Sequence, residues 1–274
     1  FDFKAALPAL LFQDIADMDI YSVWDGKMVL FCFFATLISI LISIGFSFLL
    51  KPRDIQGEFV QASYRSSAAV LGIAIIQNMY GDAGMAPLMI VASVPLYNIM
   101  AVTVLCLFRP GNSGISMPVI KRTLKGIATN PIILGIVAGS IWSLLRLPMP
   151  KILSTTVGNL AKTATPLGLM AMGGALEFRK AFSRIRAVLA CTFLKLVGYT
   201  ALFLPAAMHF GFTKDKLAAI LIMLGSATTI SCYIMAKNTD YEGSFTSGVV
   251  MLTTLLSSFT LTGWLFLCRS LGML

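Results

Sequence analysis

The chain has 274 residues, of which 57% are hydrophobic and only 12% are charged. A soluble domain typically has about 25% charged residues, so this chain has too few charges to cover a water-facing surface, and a soluble globular protein is excluded. The formal charge of +9 does not indicate nucleic-acid binding, because the sequence leaves no extramembrane domain to carry such a role. The five cysteines lie singly in or beside apolar runs and show no metal-binding spacing.

Apolar segments of membrane-spanning length follow one another along the chain. A transmembrane helix needs roughly 20 mostly apolar residues. The predicted spans are 3–17, 27–50, 62–80, 86–108, 127–147, 152–176, 186–210, 217–236 and 244–268. The loops between them contain the glycine, proline and charged residues that typically interrupt helices. We therefore predict an all-α, polytopic membrane protein with a single membrane domain, 1–274.

The basic residues are distributed unequally between the two sides of these spans. The loops at 51–65, 109–125 and 179–186, together with Lys237, contain twelve lysines and arginines, of which Arg65 is one, and the opposite loops contain six. The positive-inside rule assigns the richer side to the cytoplasm. Phe1 is then expected inside and the C-terminus outside, in a plasma membrane or bacterial inner membrane, with lipid headgroups as partners of the basic loops.

The order of the predicted helices repeats weakly. A proline-containing helix, a long apolar helix, a Ser/Gly-interrupted helix at 62–80 and another apolar helix form a first set of four. A similar set of five begins at 127, after a cytoplasmic linker at 109–126. Repeats with an odd number of spans are inverted relative to each other, a plan common among secondary transporters. We expect one helix of the first repeat to be missing ahead of Phe1.

Several segments resemble one family of carriers in order and spacing. They are "LPALLF" near the start, "YGDAGMAPLMIVASVPLYNIMAVTVL", "NPIILGIVAG" (130–139), "ATPLGLMAMGGAL" (164–176) and "AKNTDYEGSFTSGVVMLTTLLSSFTLTGWLFL" (236–267). The sequence resembles the auxin efflux carrier family, which includes plant PIN-type auxin carriers and bacterial malate-permease-like transporters. The "NP…G…G" and "TPLxLxxxG" patterns, followed by "AK…TTLLS", are moderately specific.

The resemblance implies a fold of two inverted five-helix repeats, similar to that of bile acid and sodium/proton carriers, with the first helix absent here. A scaffold part at 1–20 and 127–176 would pair two copies as a homodimer. A transport part at 27–108 and 186–268 would contain two broken helices that cross near the membrane centre. There the family binds its substrates, which implies elevator-type transport of small organic anions such as auxin-like acids or malate.

The crossover positions depart from the family pattern. Relatives typically have a proline at each crossing, and the corresponding residues here are Ala74 and Ala227. Gly72 and Gly225 lie beside them and can still permit an unwound turn, because glycine adopts unusual backbone conformations at little cost. We predict the crossings at these four residues.

A cluster of hydroxyl side chains follows Gly225. It consists of Ser226, Thr228, Thr229 and Ser231. A half-helix that begins inside the membrane exposes free N–H groups and a positive dipole end to an anion, so these residues are substrate-binding candidates. The alternative is that they pack helices closely or bond to the preceding turn, as hydroxyls do in many membrane helices.

Four further residues are candidates for contact with an anion. Ser66 and Ser67 open the partner crossover helix, and Asn98 lies in the following helix, where interhelical hydrogen bonding is the alternative. Lys162 falls near the middle of its predicted span, where an ionisable residue is a functional hypothesis by default; the alternative is snorkelling or pairing with a helix C-terminus. For Lys195 we expect snorkelling to the cytoplasmic side.

The sequence contains no nucleophile, metal or cofactor constellation, so an enzyme is not predicted and no cofactor is expected. No Asp or Glu is predicted at mid-membrane, which favours uniport or exchange over ion-coupled transport. The predicted function is secondary transport of small organic anions. The alternative is a non-transporting membrane sensor or scaffold that retains the transporter fold, which the absence of both crossover prolines favours.

Overall fold

A computed structural model describes residues 1–16, 24–51, 53–68, 73–81, 85–110, 117–174 and 184–274. Within these ranges the chain is helical and contains no β-strand. The helices are α1 (Leu7–Ala16), α2 (Gly26–Ser47), α3 (Gln56–Tyr64), α4 (Ile73–Tyr80), α5 (Ala86–Leu107), α6 (Met117–Ala128), α7 (Pro131–Leu144), α8 (Lys151–Gly174), α9 (Ile185–Phe193), α10 (Tyr199–His209), α11 (Lys214–Gly225), α12 (Ser231–Lys237) and α13 (Ser244–Ser270). A 3-10 turn, Arg53–Ile55, precedes α3, and π-helical turns precede α1 (Asp2–Ala6) and join α9 to α10 (Leu194–Gly198).

Four helical segments in the described residues are long and apolar enough to cross a membrane. They are Gly26–Ser47, Ala86–Leu107, Ile185–His209 and Ser244–Ser270. Large apolar side chains such as Leu30, Phe259 and Phe266 are more than half exposed on them, as expected of a surface in contact with lipid tails. The prediction of an all-α protein is therefore confirmed for the residues that the structure describes, and the four segments are compatible with the predicted membrane protein.

The start of α2 is fixed by an acidic cap. The Asp25 carboxylate accepts hydrogen bonds from the Lys27 and Met28 amides at 3.0 and 3.1 Å, which satisfies two of the unpaired N–H groups at a helix start. Lys216, at the start of α11, donates to the other carboxylate oxygen at 2.6 Å. That hydrogen bond holds the pKa of the Asp25 carboxyl below its usual value, and it ties the beginnings of α2 and α11 together.

The helices α1, α7 and α8 pack into one group. On α7, Gly135 and Gly139 form a small-xxx-small face, which in membranes allows helix backbones to approach closely. A Cβ atom at Gly135 would lie 2.6 Å from the Pro8 carbonyl oxygen, and one at Gly139 would lie 2.7 Å from the Phe12 carbonyl oxygen. Only glycine therefore permits this contact between the α1 and α7 backbones.

A second group contains α2, α3, α5 and α9 to α13, with α3 near its centre. All nine residues of α3 are buried, among them Glu58. Its carboxylate accepts hydrogen bonds from the Thr246 amide and hydroxyl at 2.9 and 2.6 Å. Glu58 thereby caps the first turn of α13, which begins at Ser244.

Two predicted segment boundaries are corrected by the structure. The predicted span at 62–80 is two shorter helices, because α3 begins at Gln56 and ends at Tyr64, and α4 begins at Ile73. The predicted linker at 109–126 contains most of helix α6, Met117–Ala128, so that the following helix, α7, begins at Pro131 rather than at 127.

Candidate functional site

Two helix interruptions lie against each other in the second group. Helix α11 ends at Gly225 and α12 begins at Ser231, while α3 ends at Tyr64. The Ser67 amide donates a hydrogen bond of 2.9 Å to the Ala227 carbonyl oxygen. This backbone bond joins the two non-helical segments directly at these two residues.

The structure corrects one predicted crossing position, and another predicted position lies outside the residues that it describes. Ala74 lies inside α4, so it is not at an unwound position. The described interruption begins nine residues earlier, at Arg65, and Gly72 lies outside the described residues. Gly225 and Ala227 both lie at the second interruption, where the backbone leaves the helix without a proline.

Two of the predicted hydroxyl residues, Ser226 and Thr228, are buried and do not line the cavity described below. The Thr228 hydroxyl donates to the Ala62 carbonyl oxygen at 2.8 Å, and the Thr228 amide donates to the Thr253 hydroxyl at 3.1 Å. These bonds hold the interruption against α3 and α13 and satisfy backbone groups that unwinding leaves free. The Ser226 hydroxyl is fully buried and has no hydrogen-bond partner.

A cavity of about 100 Å³ lies between the interruptions and the α1–α8 pair. A single water molecule needs only about 10–15 Å³ of such volume, so the cavity has room for a small solute. The lining residues are Leu7, Leu10, Leu11 and Asp14 of α1; Arg65, Ser66 and Ser67; Val94, Tyr97 and Asn98 of α5; Ala164 and Thr165 of α8; and Thr229, Ile230, Ser231 and Ile234. The predicted residues in this wall are Ser66, Ser67, Asn98, Thr229 and Ser231.

Arg65 is the functional candidate that the sequence analysis missed. Its side chain is only 2% exposed, whereas we counted it among the charges of a cytoplasmic loop. Its Nη2 donates to the Asn98 Oδ1 and to the Ser231 hydroxyl, both at 2.8 Å, and its Nη1 lies 2.8 Å from the Met235 sulfur. The signal was present in the sequence, because Arg65 directly precedes the crossover serines Ser66 and Ser67.

The arginine has donor capacity left for a ligand. Its Nε is buried and has no hydrogen-bond partner. Of the ion pairs between described residues, Arg109–Asp240, Arg184–Asp54 and Lys216–Asp25, none involves Arg65. A buried cation held only by neutral groups is costly, and an anionic ligand in the cavity would offset that cost.

Asp14 also lines the cavity, from α1. The prediction that no Asp or Glu lies at mid-membrane remains a prediction. The cavity wall has an acidic residue on the α1 side and a basic residue at the interruptions.

Lys162 does not belong to the cavity. Its side chain is exposed on α8, whereas Ala164 and Thr165 of the same helix line the cavity. Successive helical residues are about 100° apart around the axis, so Ala164, two positions along, faces a direction roughly opposite to that of Lys162. The prediction that Lys162 contacts the substrate is not supported by this geometry.

Lys195 does not snorkel, contrary to our expectation. It is 1% exposed, and its ammonium donates to the Leu224 carbonyl oxygen at 2.9 Å and to the Ser66 hydroxyl. The hydroxyl of Ser66 in turn donates to the Met223 carbonyl oxygen. A second buried basic side chain thus lies behind the two interruptions.

Comparison with known proteins identifies the family. A sequence model for a family described as "Membrane transport protein" matches residues 1–265. The chain belongs to this family, that of the auxin efflux carriers. A protein from Rhizobium meliloti (strain 1021), described as "Putative malonate transporter", is 32% identical over 151 residues, which are 53% of this chain and 46% of the relative. The match therefore spans less than half of that relative's length.

Membership of the auxin efflux carrier family confirms the resemblance that we drew from the sequence motifs. In this member the backbone is unwound at Ala227 without proline, and bonds from Thr228 and Ser67 hold the unwound segment in place.

Proposed function

We propose that the protein is a secondary transporter of small organic anions, which bind in the cavity beside Arg65. The observation that carries this proposal is the buried guanidinium, which has neutral partners and an unpartnered Nε. Guanidinium groups form strong, paired hydrogen bonds with carboxylates. A carboxylate in the cavity would receive such bonds and neutralise the buried charge.

The hydroxyl groups next to Arg65 favour a small solute that carries a carboxylate. The hydroxyls of Thr229 and Ser231 lie 3.2 Å apart beside the arginine, and they can orient the second oxygen of a carboxylate. Leu7 and Leu11 of α1 and Ile234 of α12 also line the cavity, and such apolar walls strengthen electrostatic attraction. Because the relative from Rhizobium meliloti is described as a malonate transporter, malonate is the first substrate to test.

The position of the cavity supports an elevator-type mechanism. It lies between α1 and α8 on one side and both interruptions on the other. In our proposal, α1, α7 and α8 form the scaffold, and the helices that hold Arg65, Asn98 and Ser231 move as one body. The anion would move with them past the α1–α8 wall, from one face of the membrane to the other.

The test is uptake of radiolabelled malonate by proteoliposomes that contain the purified full chain. We expect saturable uptake, with malate, succinate and an auxin-like aromatic acid as competitors that rank the substrate class. Replacing Arg65→Gln should lower uptake at sub-saturating malonate about 10- to 100-fold, since a hydrogen bond to a charged group contributes about 1.5–3 kcal/mol. Arg65→Lys should retain part of the activity.

A matched control is Arg186→Gln, at an exposed arginine near the start of α9, which should leave uptake unchanged. No saturable flux of any carboxylate by the folded wild type would contradict the proposal and favour the sensor alternative. Equal uptake by Arg65→Gln and wild type would place the anion elsewhere.

A further inference from the structure

Lys195 lies in an unusual segment of backbone. It belongs to the π-helical turn Leu194–Gly198 that joins α9 to α10, and π-helical turns occur frequently at functional sites. Its side chain is almost completely buried, and the anion site described above does not include its ammonium group. A lysine with no path to water inside a membrane protein calls for a partner of negative character.

That partner is the C-terminal end of α11. The last carbonyl groups of a helix have no intrahelical partner and carry the negative end of the helix dipole. Here the Leu224 carbonyl oxygen accepts from the Lys195 ammonium at 2.9 Å, and the Met223 carbonyl oxygen accepts from the Ser66 hydroxyl, which itself accepts from Lys195.

The same place is rich in oxygen atoms that lack donors. The hydroxyls of Ser226 and Thr200 are fully buried and have no hydrogen-bond partner. A Cβ atom at Gly225 would lie 3.1 Å from the Thr200 hydroxyl, so this oxygen lies at the end of α11. In membrane transporters, the C-terminal ends of broken helices and unwound carbonyls coordinate small cations.

We propose that Lys195 is a tethered cation that occupies a cation-binding position at the broken end of α11. By bonding to Ser66, it also positions the adjacent Arg65 at the anion cavity. The protein thus carries its own cation at this position and requires no bound metal ion there. The statement about Arg65 rests on the proposed function, whereas the statement about the cation position does not.

The first experiment measures thermal unfolding of the purified full chain in detergent. Wild type, Lys195→Ala and Lys195→Gln are compared in choline chloride and in sodium, potassium or propylammonium chloride at equal ionic strength. Propylammonium has the three carbons and the ammonium group that Lys195→Ala removes beyond Cβ. We expect Lys195→Ala to unfold at lower temperature than wild type in choline, and its midpoint to rise by at least about 2 °C with a small cation.

Wild type should show no such dependence on the cation. The proposal is overturned if Lys195→Ala ignores every cation, or if wild type responds as strongly as the variant. Where Lys195→Ala gives no folded protein, Lys195→Gln decides, because it retains hydrogen-bond donors but no charge. A Lys195→Gln variant as stable as wild type would overturn the proposal, because hydrogen bonding without a positive charge would then be enough to stabilise this position.

The second experiment tests the positioning role by malonate uptake. Lys195→Ala should raise the KM about 10-fold, and propylammonium should restore it at least partly, which a merely structural defect would not show. Lys162→Ala, at an exposed lysine outside the cavity, is the control. A Lys195→Ala variant with the wild-type KM would overturn the positioning role. If wild type shows no uptake, the unfolding experiment still tests the cation position.

Discussion

Arg65 and Ser66 are neighbours in the chain, yet their side chains bond to different parts of the site. Arg65 donates to Asn98 and Ser231 at the cavity wall, while Ser66 bonds to Lys195 and Met223 behind it. One short unwound segment therefore connects two buried basic residues. In our proposal, the low dielectric of these surroundings strengthens the attraction between the arginine and an anion in front of it.

A prediction at the scale of residues concerns Lys162. Because its side chain is exposed and does not line the cavity, Lys162→Ala should change the KM for malonate by less than about twofold, well below the 10-fold that 1.4 kcal/mol represents. The KM is measured in the same proteoliposomes as that of Arg65→Gln. A KM raised 10-fold by Lys162→Ala would show that the residue reaches the anion in a conformation other than this one.

At the scale of elements, α3 shows what hydropathy reveals and what it conceals. A span that faces lipid must be apolar, and the hydropathy of α2, α5 and α13 predicted these helices closely. Helix α3 is enclosed by protein, so it can hold Glu58 and Gln61, whose amide donates to the Cys232 carbonyl oxygen at 2.9 Å. Hydropathy consequently placed its start too late.

The same reasoning separates the predictable from the unpredictable part of the site. The hydroxyl cluster after Gly225 is visible because serines and threonines in a row are unusual in an apolar span. The burial of Arg65 was missed although it directly precedes Ser66 and Ser67, because a charge beside a predicted loop looks solvated until the partners of its helix are known. For Lys195, periodicity gives no information about which carbonyl oxygens lie within reach.

A prediction at the scale of elements concerns the contact between α1 and α7. Gly139→Ala should destabilise the protein, because the added Cβ would lie 2.7 Å from the Phe12 carbonyl oxygen and overpacking costs about 1–3 kcal/mol. That cost opposes the gain in helix propensity of about 1 kcal/mol. The measurement is the midpoint of thermal unfolding in detergent, which should fall.

The matched control is Gly45→Ala in α2, where a Cβ atom meets nothing within 4 Å. This variant gains helix propensity without a clash, so its midpoint should stay equal or rise. Equal midpoints for the Gly139 and Gly45 variants would mean that α1 and α7 are free to separate.

At the scale of the whole molecule, the cavity lies at the boundary between the two groups of packed helices. The α1–α7–α8 group meets the interrupted helices along a surface that includes Gly168 of α8, where a Cβ atom would lie 2.9 Å from the Ile230 side chain and 2.8 Å from that of Ile234. Glycine permits this close approach of the two isoleucine side chains to α8. A surface of this kind suits two bodies that slide past each other with a solute between them.

The sliding mechanism predicts that a covalent link across this surface stops transport. Cysteines are introduced as Gly168→Cys and Ile230→Cys in a background whose five native cysteines are replaced, and a short bifunctional thiol reagent joins them. We expect the link to abolish malonate uptake and its reductive cleavage to restore it. The control pair, Gly158→Cys and Gln13→Cys, lies within the α1–α7–α8 group, where a Cβ atom at Gly158 would be 3.3 Å from the Gln13 amide. Linking that pair should leave uptake intact, because both residues belong to the same proposed body. If uptake survives the link between residues 168 and 230, the sliding mechanism is contradicted. Transport would then require a pathway in which these helices stay together.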